Sequence, residues 1–197
     1  MLRRIRSLVS NSEDFFGVYD NVLSRKDCEI LIDQFETSDN IEAGSTVHGL
    51  PYPFEIKNSL EVGCDFEDGS IISNIVRPAL WKGINRYADQ YTSLSSVDKW
   101  KYDSVFNFQK YDGENYGYFK WHTEHCSKYP RRMLVWMFYL NNAKSGTEVM
   151  HFPTVHAKMG RLVIWPSSWT HLHKGVIPNK GLKYIITGWI SFNKYEK

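Results

Sequence analysis

Two separate segments of the sequence carry side chains that suit a divalent metal ion. The first contains His122 and Glu124, two residues apart, and the second contains His171 and His173. In an extended strand, side chains two residues apart point to the same face, so His122 and Glu124 can both reach one ion. Two imidazoles and one carboxylate on one side of an octahedral ion leave the opposite positions open. If the two segments meet in the fold, we expect a metal enzyme.

The spacing alone does not decide which histidine of the second segment is the third ligand. His171 and His173 would share one face of a regular strand, so both remain candidates at this point. His125 directly follows the carboxylate and should point away from the ion. His151 and His156 are more typical of residues on a strand face than of metal ligands, although His151 could line a substrate pocket.

Composition indicates a soluble globular protein and excludes several classes of partner. A chain of 197 residues predicts a single domain over 1–197, with 42% hydrophobic and 15% aromatic residues. The formal net charge of +2 gives no reason to expect nucleic acid. No apolar run reaches the length of a membrane span, so no membrane is expected. Cys28, Cys64 and Cys126 have no CxxC spacing, which favours a reducing compartment and a cytoplasmic location.

The first half of the sequence predicts two helices that support the rest. Ser24 is the expected N-cap of a helix that ends near Thr37, because apolar residues recur at helical intervals after it. A second helix is expected at about 70–91, where Pro78 should kink or interrupt it. Residues 38–53 are rich in Asn, Gly, Ser and Pro and predict a loop that could close over a site.

From Tyr102 onward the pattern changes to short strands separated by turn-forming residues. The expected strands are 105–111, 133–140, 148–152, 161–165 and 183–192. Many short strands after two helices predict an α+β fold, a double-stranded β-helix (jelly roll) with supporting N-terminal helices. In this division, 1–101 forms the helical support and loop, and 102–193 forms the catalytic core.

A series of short motifs also runs through this half in a fixed order. They are Tyr111-Asp112-Gly113, His122-Thr123-Glu124, Phe138-Tyr139-Leu140-Asn141, Ser145-Gly146-Thr147, Gly160 to Pro166, His173 to Pro178, and Lys183 to Trp189. Over about residues 102–193 this order resembles the prolyl 4-hydroxylase-like group of Fe(II)- and 2-oxoglutarate-dependent dioxygenases. That group has a Lys or Arg ten residues after the distal histidine. Lys183 stands at that offset from His173 but twelve residues from His171, so the resemblance selects His173.

The resemblance implies that His122, Glu124 and His173 hold Fe(II) and form the catalytic centre. Lys183 would pair with the distal carboxylate of 2-oxoglutarate. Glu124 stands where an aspartate is usual, one methylene longer, and Ser145-Gly146 replaces a Gly-Gly turn.

Other residues match positions that contact the cosubstrate or the substrate in the family. The resemblance implies that the hydroxyl of Tyr139, and after it that of Tyr111, hydrogen-bonds 2-oxoglutarate. Thr187 lies on the same strand as Lys183 and could assist. Arg132 is a candidate for substrate contact or a solvated charge. Several aromatic residues could form a substrate platform or core, namely Tyr116, Tyr118, Phe119, Trp121, Trp136 and Trp169.

The implied reaction hydroxylates a prolyl or other peptidyl residue, or a free amino acid, with O2 consumed and succinate and CO2 as co-products. Ascorbate is a candidate reductant, and the substrate partner is a peptide, protein or small molecule. The alternative is a cupin-like metal-binding jelly roll, an isomerase or a non-catalytic binding module, without 2-oxoglutarate chemistry. A zinc hydrolase could use the same three ligands. Neither alternative explains a lysine ten residues after His173. The sequence does not define the oligomeric state.

Overall fold

The computed structural model describes residues 14–44, 57–113, 117–118, 120–178 and 180–193. These residues form two α-helices, α1 (Arg25–Glu36) and α2 (Ile71–Gln90). The strands are β1 (Gly17–Tyr19), β2 (Glu42–Ala43), β3 (Lys57–Asn58), β4 (Leu60–Asp65), β5 (Trp100–Tyr102), β6 (Val105–Asp112), β7 (Gly117–Tyr118), β8 (Arg132–Tyr139), β9 (Gly146–Val149), β10 (Val155–His156), β11 (Arg161–Pro166), β12 (His173–Val176) and β13 (Leu182–Phe192). Short 3-10 helices lie at Thr92–Ser96 and Trp169–His171.

Helix α1 begins and ends where the sequence predicts. The Ser24 side chain accepts a hydrogen bond from the Asp27 amide, and the Asp27 carboxylate accepts one from the Ser24 amide, which makes a capping box. The helix is capped at Thr37, and its buried stripe contains Cys28, Leu31 and Phe35. The stripe packs α1 against the sheet, since Phe35 contacts Phe108 with ring centroids 4.8 Å apart.

Helix α2 is continuous through Pro78, so the interruption expected at this proline does not occur. A proline costs an interior helical hydrogen bond. Here the helix buries Val76, Leu80 and Ile84 on both sides of the proline, and this packing outweighs the local preference. No helix in the described part of the chain is both long and apolar enough to cross a membrane.

The main sheet is antiparallel and has the strand order β1-β11-β8-β13-β6-β4-β2, with β5 paired to β13. The strands β9, β10 and β12 form a second, smaller sheet, and β3 pairs with β7. Two packed antiparallel sheets with helices on one side confirm the predicted α+β jelly roll. The main sheet includes β1, β2 and β4, so residues before 102 supply strands as well as helices.

The expected loop at 38–53 is only partly described. Glu42 and Ala43 pair with β4, and residues 45–56 lie outside the described residues. Tyr116 and Phe119 of the candidate aromatic platform also lie outside them. Trp136 is fully buried core, whereas Trp169 is largely exposed.

The two faces of the main sheet have different environments. Side chains alternate along each strand, so consecutive residues belong to different faces. The face toward the helices buries mainly aromatic and aliphatic side chains, including Phe106, Phe108, Trp136, Phe138, Tyr184 and Ile186. The face toward the smaller sheet carries Tyr111, Met137, Tyr139, Trp165, Lys183 and Ile185. An open cavity of about 1080 Å³ lies along this second face.

Candidate metal centre

The structure brings together the three side chains that the sequence predicts as metal ligands. One ligand atom from each of His122, Glu124 and His173 lies within 4.8 Å of the other two. Oε1 of Glu124 is 3.6 Å from Nε2 of His122 and 3.9 Å from Nε2 of His173. Within the described residues this is the one cluster of three or more such groups with metal-binding spacing. The three ligand atoms form a triangle, and a single divalent ion could be bound by all three.

Backbone hydrogen bonds place the first segment against the second. The amide of His122 donates to the carbonyl of His173, and the amide of His173 donates back, each over 3.0 Å. The amide of Glu124 and the hydroxyl of Thr123 both donate to the carbonyl of Ser167. Thr123 therefore faces away from the site, as its intermediate position predicts, while His122 and Glu124 face the cavity.

The orientation of both imidazoles suits metal binding. Nδ1 of His122 lies 3.0 Å from the carbonyl of Lys120, and Nδ1 of His173 lies 3.1 Å from the carbonyl of His171. A carbonyl accepts a proton from Nδ1, so each ring keeps its Nε2 lone pair free toward the site. The ring of Tyr118 stacks on His122, and the edge of Trp165 contacts His173.

The protonation states of Glu124 and His173 suit the binding of a metal cation. Burial opposes the charged form of Glu124, but the close approach of His122 and the charges of His122, His173 and Arg132 hold its pKa at about 2. Burial, reinforced by the neighbouring His122, lowers the pKa of His173 to about 3. Near neutral pH the site therefore contains a carboxylate and a neutral His173, which are the protonation states that bind metals.

The other histidines of the described residues take no part in this cluster. His171, the other candidate from the sequence, approaches the Thr170 hydroxyl and, through Nε2, the backbone carbonyl of Asp14 at 3.0 Å. Its burial lowers its pKa, as expected for a structural histidine. His125 contacts the carbonyl of Arg132 and points away from the triad. His151 and His156 are exposed, and neither lines the cavity.

Lys183 lies on the wall of the same cavity and is almost completely buried, at 2% exposure. Its ammonium has the carbonyls of Val176 and Gly146 as acceptors at 3.3 and 3.5 Å, and it lies 4.5 Å above the ring of Tyr111. No carboxylate of the described residues forms a salt bridge with it. Burial lowers its pKa to about 7. A buried ammonium without a carboxylate partner is costly, which indicates a site for an anionic ligand.

The two candidate tyrosines occupy different positions. Tyr111 lines the cavity beside Lys183 and donates to the side chain of Gln109 over 2.8 Å. Tyr139 is completely buried, and its hydroxyl approaches Thr147 at 2.7 Å, so Thr147 lies between it and the cavity. The family resemblance places Tyr139 before Tyr111 as a contact of 2-oxoglutarate; in the structure Tyr111 lines the cavity, and Tyr139 contacts Thr147, which also lines it. The hydroxyl of Thr187 lines the cavity and donates to the carbonyl of Trp136.

Two groups near the site were not predicted from the sequence. Gln109 joins Tyr111 to Glu61, which in turn forms a buried salt bridge with Lys57 of β3. Arg132, considered a possible solvated charge, is instead bound to the carboxylate of Glu124. The first group depends on strands β3 and β4, which the sequence did not reveal, and the second depends on long-range packing.

The segment that carries this site also matches a family model. Residues 106–191 match the model described as the 2OG-Fe(II) oxygenase superfamily. The match includes the three candidate metal ligands and Lys183. The protein is thus a 2-oxoglutarate-dependent dioxygenase, and the predicted resemblance is confirmed. Its cofactor is Fe(II), with 2-oxoglutarate and O2 as cosubstrates.

Solved structures of prolyl hydroxylases have the same fold as this oxygenase. One is a prolyl hydroxylase from Trichoplax adhaerens in complex with a peptide fragment of the hypoxia inducible factor oxygen degradation domain. It has 14% identity and a TM-score of 0.70, covering 95% of this chain and 89% of that chain. A prolyl-4-hydroxylase from Pseudomonas putida has 16% identity and a TM-score of 0.68, covering 98% and 100%.

A viral collagen prolyl hydroxylase from Paramecium Bursaria Chlorella virus-1, in complex with 2-oxoglutarate, is a third relative in fold. Its identity is 16% and its TM-score 0.66, covering 94% of this chain and 99% of that chain. At these identities the likeness concerns the fold alone. No curated protein matches the sequence of the oxygenase.

Proposed function

We propose that this oxygenase hydroxylates a prolyl or other peptidyl residue, with His122, Glu124 and His173 as the iron ligands. The observation that carries the proposal is the position of Lys183, a buried ammonium on the wall of the cavity that also contains the three ligands. A cation there suits the distal carboxylate of 2-oxoglutarate. The co-products are succinate and CO2. A free amino acid is the second candidate substrate.

The residues of the chain position and isolate the reactants. Lys183 binds the distal carboxylate of 2-oxoglutarate. The hydroxyl of the adjacent Tyr111, which donates to Gln109 in the structure, can donate to this carboxylate instead. The Thr187 hydroxyl on the same strand donates to the carbonyl of Trp136, and the Tyr139 hydroxyl contacts that of Thr147, which lines the cavity. The iron supplies the activation of O2 when it is bound.

Apolar side chains on the same wall exclude water from the reaction. Met137, Ile185 and Trp165 line the cavity that also contains the metal ligands, and Trp165 contacts His173. A dry site limits the reaction to the C–H bond of the bound substrate and protects reactive species from side reactions. The chain thereby directs the chemistry of its cofactor.

The open end of the cavity supports a peptide substrate. The exposed residues that line it include three cations, Lys101, Lys128 and Arg131, and the half-buried Tyr129 also lines it. An open rim can accept one side chain of an extended peptide while the rest of the chain stays outside. The Trichoplax adhaerens relative is described as bound to a peptide fragment, which is consistent with this class of substrate.

A metal-binding jelly roll without 2-oxoglutarate chemistry is the competing hypothesis. Such a protein needs the three ligands but has no use for a buried ammonium in the cavity. Zinc hydrolysis has the same difficulty, because Lys183 has no anionic partner among the described residues and this reaction supplies none. The chemistry of Lys183 therefore favours the oxygenase.

The first test is spectroscopic. Fe(II) and 2-oxoglutarate are added anaerobically to the purified protein, and we expect a visible metal-to-ligand charge-transfer band. Lys183→Ala should bind Fe(II) normally but require a much higher 2-oxoglutarate concentration for the band. The absence of a band from the wild-type protein refutes the proposed function.

A second test separates the two histidines of the second segment. His173→Ala should lose Fe(II) on dialysis, since it removes a ligand, whereas His171→Ala should retain most of it. His171 is the matched control because it is equally buried and lies two residues away. The reverse result contradicts the ligand assignment.

A further inference from the structure

We propose that Arg132 is a positioning residue that holds Glu124 as a one-oxygen ligand and so adapts the site to glutamate. This inference rests on the proposed function, because it assumes that Glu124 binds the metal. Nη1 of Arg132 donates to Oε2 of Glu124 over 2.9 Å. The other oxygen, Oε1, is the one that faces the two histidines. The carboxylate is thus divided, with one oxygen for the arginine and one for the metal.

The arginine is itself held in place on both faces. Its guanidinium carbon lies 3.8 Å from the ring centroid of Tyr129 and 3.5 Å from that of Trp189. Its side chain is only 11% exposed. A guanidinium packed between two rings loses little further freedom when it binds a carboxylate, so its hydrogen bond is well oriented.

The backbone around the arginine ties it to the segment that carries Glu124. The carbonyl of Arg132 accepts from the hydroxyl of Ser167 and contacts Nδ1 of His125. The carbonyl of Ser167 accepts from the amides of Glu124 and His125. These contacts hold the backbone of Arg132 close to the backbone of Glu124. The guanidinium therefore binds the Glu124 carboxylate from a fixed position.

A glutamate needs such an anchor more than an aspartate does. The extra methylene adds a rotatable bond, so an unrestrained carboxylate can turn both oxygens toward the ion or swing away from it. Two oxygens on the ion occupy a position that 2-oxoglutarate or O2 requires. Arg132 prevents this by binding Oε2, which leaves the open positions of the site available. An aspartate carboxylate lies one methylene nearer the backbone and has one rotatable bond fewer, so we expect it to depend less on this guanidinium.

A double-mutant cycle on purified, iron-free protein tests this role. The four proteins are the wild type, Glu124→Asp, Arg132→Met and the double variant, and Met retains apolar bulk between the two rings. Fe(II) affinity is measured anaerobically without 2-oxoglutarate, so activity does not enter. We expect Arg132→Met to lower the affinity at least tenfold in the Glu124 protein and less than twofold in the Asp protein.

A second measurement is made at saturating Fe(II). In the Glu124 protein, Arg132→Met should raise the 2-oxoglutarate concentration for half-maximal charge-transfer absorbance at least tenfold, and in the Asp protein it should not. Equal losses in both backgrounds overturn the proposal and make Arg132 a general structural or substrate-binding residue. Unchanged iron and 2-oxoglutarate binding also overturns it.

The controls separate this inference from the proposed function and from misfolding. If the wild-type protein forms no charge-transfer band, the proposed function fails first and independently of Arg132. Circular dichroism and thermal unfolding of each iron-free protein report the fold. If Arg132→Met does not fold, Arg132→Lys replaces it in the cycle, because lysine keeps the stem and charge but lacks the planar donor fork.

Discussion

The two faces of β13 place opposite demands on one strand. Tyr184 and Ile186 point toward the helices and are buried among aromatic side chains. Their neighbours Lys183 and Thr187 point into the cavity, where Lys183 has only backbone acceptors among the described residues. Apolar burial on the first face stabilises the fold, whereas burial of the Lys183 ammonium on the second face destabilises it. Because the two sets alternate residue by residue, substitutions on adjacent positions can separate stability from ligand binding.

The largest effect should come from the helix-facing side. Phe138→Ala removes a completely buried ring and leaves a cavity beneath the helices. We expect the free energy of unfolding to fall by about 3–5 kcal/mol. Denaturant unfolding measures this, and the Fe(II) content of the remaining folded protein should not change. A loss of iron at full secondary structure would show that the two faces are not independent.

The opposite sign is expected on the cavity side. Lys183→Met replaces a buried ammonium with an apolar side chain of similar length, so the ligand-free protein should be more stable by about 2–3 kcal/mol near neutral pH. The same variant should lose the stabilisation that 2-oxoglutarate gives to the wild-type protein with Fe(II). Thermal unfolding with and without 2-oxoglutarate measures both effects.

The pH dependence provides the control for Lys183. Its folded pKa of about 7 lies below its ordinary value of 10.5, so between these values the unfolded chain binds more protons. The wild-type protein should therefore gain stability relative to Lys183→Met as pH rises from about 7 to about 10. A constant difference between the two proteins across this range contradicts a lowered pKa of the buried Lys183 ammonium.

Tyr111→Phe and Tyr139→Phe sharpen the comparison within the cavity side. Tyr111 lines the cavity, so its loss should weaken 2-oxoglutarate binding about tenfold, equivalent to about 1.4 kcal/mol. Tyr139 lies behind Thr147, so its loss should cost about 1 kcal/mol of stability and change 2-oxoglutarate affinity less than twofold. Titration of the charge-transfer band distinguishes them, and the opposite ranking restores the order given by the sequence.

The smallest effect is expected at the start of α1, far from the cavity. Ser24→Ala removes one half of the capping box with Asp27 and should cost about 1 kcal/mol of unfolding free energy. Iron and 2-oxoglutarate binding should remain at wild-type values. Ser95→Ala serves as the matched surface control, since this exposed serine hydroxyl donates only to the nearby Thr92 carbonyl.

The parts of the fold that follow local rules were predictable. The Ser24 cap, both helices and the four longest C-terminal strands have strong periodic patterns, and His122 and Glu124 share a face for the same reason. The strand predicted at 148–152 overlaps β9 only at Glu148 and Val149. The family spacing added His173, which the structure places with them.

The rest depends on contacts between distant residues. Strand β4 escaped prediction because Leu60–Asp65 contains a glycine and two acidic residues, yet β6 pairs with its whole length. Similarly, nothing local distinguishes Arg132 from a surface charge, because its partner and both of its aromatic neighbours come from tertiary packing. The priority given to Tyr139 over Tyr111 stays a prediction, and the contact of Tyr139 with Thr147, eight residues away, was not foreseen from the sequence.

The paired backbone hydrogen bonds between His122 and His173 have a consequence for how the protein handles its metal. These bonds join two ligand residues directly and do not depend on an ion. Zinc fingers, in contrast, fold only when the metal is present. We therefore expect that a chelator removes the iron and leaves the protein folded, so that it can bind iron again without a chaperone. Loss of iron then abolishes activity reversibly and does not unfold the protein.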